Sequence, residues 1–302
     1  MDLFDEESNQ NDNDFEPITE DSPKFVSYGG GVNSTAMLVL LKSQQIRPDY
    51  ILFADTGGEQ PHTYTYLELV DQWLKSIDFP AITTVRYKGT DRYQTLEEDC
   101  LANKALPSKA YGYGKCSAKY KVQPQQEFIK QIRALKLEAA TIPYVLDPQT
   151  SNFYKSLFSS LTQRYLNFVG IHAGETKRLI GKNGKLKTVE TKDYLTRYPL
   201  IENNIYQNHC IALIQAVGLP VPKKSSCFFC PSMRPTEILQ LKQDYPDLYE
   251  RALAIEKAGM ETAHTLKGLG RKFSWADVGK LTEIEQAILD AEKRQCGCVD
   301  EF

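Results

Sequence analysis

Short apolar runs alternate with amphipathic segments over the first third of the chain. The runs predict strands, at residues 24–28, 50–54 and 82–87, with a fourth at 168–171. The segments between the first three runs predict helices, at residues 34–42 and 61–75. Strands that alternate with helices at this spacing form a parallel sheet with helices on both faces. We therefore predict an α/β fold built on a doubly wound parallel sheet of about five strands.

The rest of the chain divides into two kinds of sequence. Residues 88–120 are rich in Gly, Lys and Tyr and show no clear period, which is typical of an active-site loop region. After residue 232 the pattern is helical, with apolar residues at helical spacing in 236–258 and 280–291. We therefore predict three parts: an acidic disordered tail, an α/β domain and a helical C-terminal region ending in Cys-Gly-Cys, at residues 1–22, 23–231 and 232–302.

Charge is distributed unevenly along the 302 residues, whose formal net charge is −3. Nine of the 39 acidic residues and none of the 36 basic ones fall in residues 1–22. The remainder has 36 basic against 30 acidic residues, a net charge of +6, so an anionic ligand or a nucleic acid is compatible with it. The sequence shows no secretory signal and no apolar run of the roughly 18 residues that span a membrane. We expect a cytoplasmic protein with no membrane partner.

Three consecutive glycines, Gly29 to Gly31, separate the first predicted strand from the first predicted helix. Glycine lets the backbone approach phosphate oxygens, and free amides at a helix N-terminus point at the anion. Ser34 adds a hydroxyl. The spacing is neither the Gly-x-Gly-x-x-Gly of dinucleotide-binding folds nor a P-loop with Lys-Ser/Thr. The segment therefore predicts a phosphate cradle, with a simple strand-to-helix turn as the alternative.

The glycine segment resembles the PP-loop of the adenine-nucleotide alpha-hydrolase superfamily. That motif is usually Ser-Gly-Gly-x-Asp-Ser, and here it stands as Tyr-Gly-Gly-Gly-Val-Asn-Ser at residues 28–34. Gly30, Gly31 and Ser34 match, whereas Gly29 replaces the first Ser and Asn33 replaces the Asp. The superfamily includes N-type ATP pyrophosphatases and the phosphoadenylylsulfate (PAPS) reductases. The resemblance implies a doubly wound sheet of the alpha-hydrolase type.

The resemblance continues downstream, over roughly residues 24–230, and the PAPS-reductase-like branch matches best. Asp55-Thr-Gly resembles the motif near the adenosine, and Gly170 to Arg178 resembles the segment that places basic residues on the nucleotide, with His172 where Arg is usual. The implied catalytic cations are Lys177 and Arg178. The implied nucleotide-binding residues are Ser27, Gly29, Gly30, Gly31, Asn33, Ser34, Asp55, Thr56, Gly57 and Gly170.

Seven cysteines, an odd number without a secretory signal, argue for reduced thiols. Cys227-Phe-Phe-Cys230 is a C-x-x-C pair, and Cys296-Gly-Cys298 is a second close pair. Cys116 opens a stretch that resembles the Cys-Cys-x-x-x-Lys-Val-x-Pro segment of adenylylsulfate reductases, which bind a [4Fe–4S] cluster. The resemblance implies a metal site at Cys116, Cys227, Cys230 and Cys298, with Cys296 as another choice for the fourth ligand. Structural Zn²⁺, a redox dithiol or uncoordinated thiols stay open.

Three functions follow from these motifs. The first is an ATP pyrophosphatase that uses ATP with Mg²⁺ to adenylate an acceptor, such as a nucleic acid or a partner protein, for sulfur transfer. The second is a thiol-dependent reductase of PAPS or adenylylsulfate (APS), in which Cys296 or Cys298 attacks the sulfate sulfur. The third is a non-catalytic protein that binds an adenine nucleotide. The sequence also leaves a homodimer open.

Overall fold

The computed structural model describes residues 15, 17–140, 164–180, 190–278 and 280, with side chains of the helix at 123–140 described up to residue 132. Most of the predicted acidic tail lies outside the described residues. The helical pattern at 281–291 and the pair Cys296 and Cys298 lie outside them as well.

Five strands form one parallel sheet in the described part of the chain, which confirms the predicted α/β class. The spatial order is β3-β2-β1-β4-β5, and every neighbouring pair is parallel. In the register of the central strand, Phe25 lies opposite Tyr50 on one side and Asn167 on the other. The strands are β1 Lys24–Tyr28, β2 Tyr50–Asp55, β3 Ile82–Arg86, β4 Tyr165–Val169 and β5 Tyr194–Arg197.

The strand order reverses beside β1. The chain builds outward from β1 through β2 to β3, and then returns to place β4 on the other side of β1. In open α/β sheets, ligands bind in the crevice at the carboxyl ends of the strands where the order reverses. The loops that follow β1 and β4 meet at this crevice.

Ten α-helical segments accompany the sheet among the described residues. Short turns of other helix types lie at Ser108–Tyr111, Ala118–Val122 and Ala173–Leu179. None of the described helices is long and apolar enough to cross a membrane. The α-helices are α1 Val32–Ser43, α2 Pro61–Ser76, α3 Leu96–Ala102, α4 Lys115–Ser117, α5 Gln123–Ala140, α6 Pro199–Glu202, α7 Gln207–Ala216, α8 Pro235–Asp244, α9 Pro246–Met260 and α10 Trp275–Val278.

Helices cover both faces of the sheet, because successive strand residues point to opposite sides. Val26 and Tyr28 of β1 pack in one core with residues of α1, α2 and α7. Phe25 directly precedes Val26, so its side chain points to the opposite face, where it packs with Ile129 of α5. The sheet is therefore doubly wound, as predicted.

A separate hydrophobic core forms away from the sheet. It joins α8, α9 and α10 to α3 and to the segment around Cys227. Phe228, Phe229 and Trp275 are almost completely buried in it. The C-terminal helices therefore pack directly on the cysteine segment.

Four predicted boundaries differ from the observed ones. The fourth strand ends at Val169, before Gly170, where 168–171 was expected. The helix expected over 236–258 is two helices, because Pro246 has no amide hydrogen to continue the first. The strand β5 was not among the four strands located from the sequence. The region 88–120 contains α3, whose first turn has a capping box between Thr95 and Glu98.

Candidate functional site

The glycine loop lies between the end of β1 and the start of α1, at the crevice of the sheet. Gly30 has φ of +70°, a left-handed conformation that favours glycine. The Ser34 hydroxyl accepts hydrogen bonds from the amides of Gly29 at 3.2 Å and Gly31 at 3.3 Å, and it donates to the Gly31 carbonyl at 3.1 Å. Ser34 therefore fixes the shape of the loop from inside.

Two other segments approach the glycine loop closely, and at the two contacts a residue larger than glycine would not fit. A Cβ added to Gly170 would lie 2.8 Å from Ser34 Cα, 2.9 Å from Ser34 N and 3.0 Å from Asn33 C. A Cβ added to Gly31 would lie 3.0 Å from Ser225 Oγ. The first turn of α1 is thus lined by backbone from β4 and by one hydroxyl, which is a suitable lining for an anion.

A polar network connects the first turn of α1 to the turn after β4. The Asn33 side-chain amide donates to Glu175 Oε2 at 2.7 Å, and Arg178 donates to Glu175 Oε1 at 2.9 Å. His172 Nε2 lies 3.6 Å from Glu175 Oε2, and His172 Nδ1 accepts a hydrogen bond from the Gly174 amide at 3.0 Å. Lys177 is exposed. Glu175 therefore positions Arg178 beside the loop, while Lys177 points to solvent.

The Asp55 carboxylate is buried and used internally. Its Oδ1 accepts from the Gly57 amide and the Tyr64 hydroxyl, both at 2.8 Å, and its Oδ2 accepts from Arg86 Nε at 2.9 Å. Ser27 is likewise engaged, because its hydroxyl lies within hydrogen-bond distance of side chains on α5 and β4. Asp55 therefore shapes the loop after β2.

The cysteine segment docks onto the loop after β2. Glu59 and Cys227 form an isolated antiparallel bridge, and the Phe228 amide donates to the Gly58 carbonyl at 2.8 Å. Within the C-x-x-C pair, the Cys230 amide donates to the Cys227 carbonyl at 3.1 Å. The structure thus brings together two motifs that the sequence separates by about half its length.

Polar groups surround the Cys227 thiol in a buried setting. Its Sγ lies 3.1 Å from Thr56 Oγ1 and 3.8 Å from Glu59 Oε1, and Lys121 Nζ lies 3.0 Å from the same carboxylate oxygen. Burial and the Glu59 charge raise the pKa of Cys227 well above its ordinary value. Burial alone lowers the pKa of Lys121, but the charge of the Glu59 carboxylate and its hydrogen bond outweigh burial and leave that pKa raised. Cys227 is therefore held as a thiol here.

The predicted metal ligands are only partly assembled. Cys116 and Cys230 are half-buried and pack on the same hydrophobic core as Cys227. Among the residues that the structure describes, no group of three or more His, Cys, Asp or Glu side chains has the geometry of a metal site. Cys296 and Cys298 lie outside those residues. The described thiols do not by themselves form a metal centre, and the predicted ligand set stays a prediction.

Lys109 is half-buried and within electrostatic range of the thiols of Cys116 and Cys230, of Lys224 in the cysteine segment and of Arg178. Burial lowers the pKa of Lys109 to about 8. The thiols of Cys230 and Cys116 act in the opposite direction, and the charges of Lys224 and Arg178 lower this pKa further. The pKa of Lys109 therefore depends on groups of the cysteine segment and on Arg178 beside the glycine loop.

Several residues of the site were not predicted from the sequence. Glu59 stands in no recognisable motif, and Lys109 lies in a segment without a period. Lys121 occupies the Lys position of the stretch that Cys116 opens, but it was given no role. Glu175 belongs to the recognised Gly170–Arg178 segment but was given no role. Ser225 lies two positions before Cys227, and its closeness to the C-x-x-C pair was the only sequence signal that it could belong to the site.

Sequence comparison finds distant relatives. No family model matches the chain. Two uncharacterized proteins of Methanocaldococcus jannaschii are similar: MJ0973 is 23% identical over 270 residues, and MJ0066 is 22% identical over 280 residues. The alignments cover 89% and 87% of this chain but only 56% and 47% of those proteins. The chain thus spans about half the length of the curated relatives it matches.

Structure comparison finds a distant likeness to the U34-tRNA thiolase NcsA from Methanococcus maripaludis, solved with its [4Fe–4S] cluster. The sequences are 14% identical, and the alignment covers 86% of this chain and 80% of that one with a TM-score of 0.37. A likeness at this level carries no argument about function.

Proposed function

We propose that the chain is an adenine-nucleotide-binding enzyme of the PP-loop ATP pyrophosphatase type, which adenylates an acceptor as the first step of sulfur transfer. The observation that carries the proposal is the glycine loop at the reversal of strand order. There α1, a helix of 12 residues, begins against the backbone of Gly170 with no side chain between them. A helix N-terminus with exposed backbone binds phosphate through its amides and its dipole.

The proposed reaction uses the loop to stabilise a leaving group. An acceptor oxygen attacks the α-phosphorus of ATP, the bond to the bridging oxygen breaks, and pyrophosphate departs with the electron pair. A sulfur nucleophile then displaces AMP from the acceptor. The amides of Gly29 and Gly31 are bonded to Ser34, so the amides at the start of α1 would stabilise the charge that develops on the leaving pyrophosphate. ATP would bring Mg²⁺ on its phosphate oxygens.

The cations around the loop support an anionic substrate. Arg178 is oriented by Glu175 at 2.9 Å, and Glu175 is itself tied to Asn33 in the first turn of α1. Asn33 replaces the Asp of the related motif, so this position contributes an amide donor where a carboxylate is usual. We propose that Arg178 contacts the phosphate chain and that Lys177, which is exposed, contacts the acceptor side.

The test is a product assay on the full chain purified without oxygen. ATP labelled on the α- and γ-phosphates, together with a mixture of RNA and single-stranded DNA and with sulfide as the sulfur nucleophile, is expected to give AMP and pyrophosphate. A parallel reaction with PAPS or APS and thioredoxin reports sulfite. Sulfite without pyrophosphate would replace this proposal with the reductase, and nucleotide binding without either product would indicate a non-catalytic protein.

A matched pair of serine variants ties the activity to the loop. Ser34→Ala removes the hydroxyl that bonds two loop amides, so ATP binding is expected to weaken about tenfold, the equivalent of ~1.4 kcal/mol. Ser43→Ala removes a hydroxyl at the other end of α1 that bonds only the Leu40 carbonyl, at 2.7 Å. This control is expected to bind ATP normally, and equal behaviour of the two variants would contradict the proposed phosphate site.

A further inference from the structure

A tight basic loop lies between α9 and α10. It has the sequence Lys-Gly-Leu-Gly-Arg-Lys and is called the 267–272 loop below. The Lys267 amide donates to the Arg271 carbonyl at 3.1 Å, and the Arg271 amide donates to the Gly268 carbonyl at 3.0 Å. Arg271 has φ of +66°, a left-handed conformation that costs a non-glycine residue about 1 kcal/mol. Its surroundings therefore hold this loop in one conformation.

A buried carboxylate supplies that restraint. Glu256 of α9 is 5% exposed, and a Cβ on Gly268 would collide with its Oε2. Its two oxygens accept four hydrogen bonds, from the amides of Leu269 at 2.7 Å, Trp275 at 2.9 Å and Ala276 at 3.3 Å and from the Ser274 hydroxyl at 2.8 Å. The internal acid organises the backbone, and the cations of the loop remain exposed on its outer side.

The 267–272 loop packs against the segment that leads to Cys116. A Cβ on Gly112 would lie 2.9 Å from Arg271 Nη2, so the guanidinium rests on the Gly112 backbone. Next to it, Tyr113 is 56% exposed, and its amide is bonded to the Ser108 carbonyl at 3.0 Å. The ordered backbone presents this ring to solvent without burying it.

We define the cation–tyrosine surface as Tyr113, Lys115, Lys267 and Arg271. All four residues are exposed. Within the described part of the chain, the three cations form no ion pair with an acidic residue. Other exposed cations nearby are paired, as Lys104 is with Glu261 at 2.7 Å. The surface therefore combines unneutralised positive charge with an exposed aromatic ring.

We propose that the cation–tyrosine surface binds an unpaired nucleic-acid strand. Lys115, Lys267 and Arg271 contact its phosphates, and Tyr113 stacks on one of its bases. Charged grooves with exposed aromatic rings bind single strands in this way, because every base has a stacking face. In a duplex the base faces are stacked on one another and cannot contact Tyr113. An acidic peptide could pair with the cations but has no base to stack on the tyrosine ring.

The position of the surface connects it to the reaction, and this step rests on the proposed function. Lys115 directly precedes Cys116, and the Cys116 amide donates a hydrogen bond to the Ser108 hydroxyl oxygen at 2.7 Å. Lys109, the half-buried lysine of the site, is the next residue after Ser108. A base stacked on Tyr113 is thus held beside the thiol region, as an acceptor for sulfur transfer needs to be.

Fluorescence anisotropy of the full chain with labelled oligonucleotides tests the proposal. Unstructured RNA and DNA strands of the same sequence, and the corresponding duplex, are titrated at several salt concentrations. Tyr113→Ala is expected to weaken single-strand binding about tenfold or more, while Tyr113→Phe keeps it. The double variant Lys115→Gln, Arg271→Gln is expected to reduce the slope of log K against log salt by about 1.4, or about 0.7 for each phosphate contact.

Controls separate this proposal from the proposed function. Lys104→Gln removes a paired surface cation and is expected to leave both affinity and slope unchanged. Circular dichroism confirms folding, and ATP binding is measured on every variant and is expected to stay normal. If Ser34→Ala loses ATP binding but still binds single strands, the cation–tyrosine surface is supported independently of the proposed nucleotide site. Variants that bind single strands like the wild type, or a duplex that binds as tightly as the strands, would overturn it.

Discussion

Replacing Gly170 by alanine tests the closest contact of the site. The new methyl group would lie 2.8 Å from Ser34 Cα, where ordinary contact begins near 3.4 Å, so the first turn of α1 must move by about 0.6 Å. All three nearest atoms belong to backbone, which cannot rotate away. Overpacking of this kind costs about 1–3 kcal/mol of folding free energy. We expect the displaced amides to weaken ATP binding about 10- to 100-fold.

Isothermal titration with a non-hydrolysable ATP analogue measures the affinity, and urea unfolding measures the stability. Gly218→Ala is the control, because Gly218 has φ of +76° and no atom within 4 Å of the added Cβ. It is expected to lower stability by about 1 kcal/mol through backbone strain alone and to leave ATP binding intact. Normal ATP binding by a folded Gly170→Ala protein would refute the assignment of phosphate to the first turn of α1.

Three further predictions concern stability and thiol chemistry. Glu256→Gln is expected to lower the unfolding free energy by about 2–3 kcal/mol in urea titrations. The NH₂ group of the new glutamine would face donors that now bond to the carboxylate, and it cannot accept from them. Burial raises the pKa of Asp99, but hydrogen bonds from Lys119 and Tyr120 outweigh it and leave that pKa lowered. Its stabilising contribution is complete above the ordinary value of 3.8 and is lost as the pH falls through the folded-state pKa, so Asp99→Asn should flatten the acid side of the stability profile. Burial raises the pKa of Cys100 to about 12 and of Cys210 to about 11, so iodoacetamide at about pH 8 should leave both unlabelled in the folded protein, as mass spectrometry would report.

The central strands could be predicted because they are buried on both faces, and such strands have apolar residues at successive positions. β1 matches the prediction at both ends, since glycine stops it at once. The edge strand β5 has the sequence Tyr-Leu-Thr-Arg and is only partly buried, so the pattern there is weak. Pairing with β4, in which Tyr165 lies opposite Tyr194, places this strand. Local sequence carries no trace of that pairing.

The same distinction applies to the site. The glycine loop is local in sequence, and its glycines mark it directly. The neighbours of the thiols are not local: Cys227 meets Glu59 across 168 residues, and Lys121 joins them from a third segment. No spacing rule connects these three positions. Tertiary packing alone brings the buried thiol and the buried carboxylate together with the partly exposed ammonium group of Lys121.

The docking of the cysteine segment on the loop after β2 fixes an order of assembly during synthesis. All five described strands precede Ser225 and Cys227 in the chain, so the strands and the glycine loop leave the ribosome before the segment that docks beside them. Contacts between distant segments form late, because chain closure must precede them. Protection of Cys227 from thiol reagents therefore reports maturation of the whole site, whereas formation of the sheet leaves that thiol accessible.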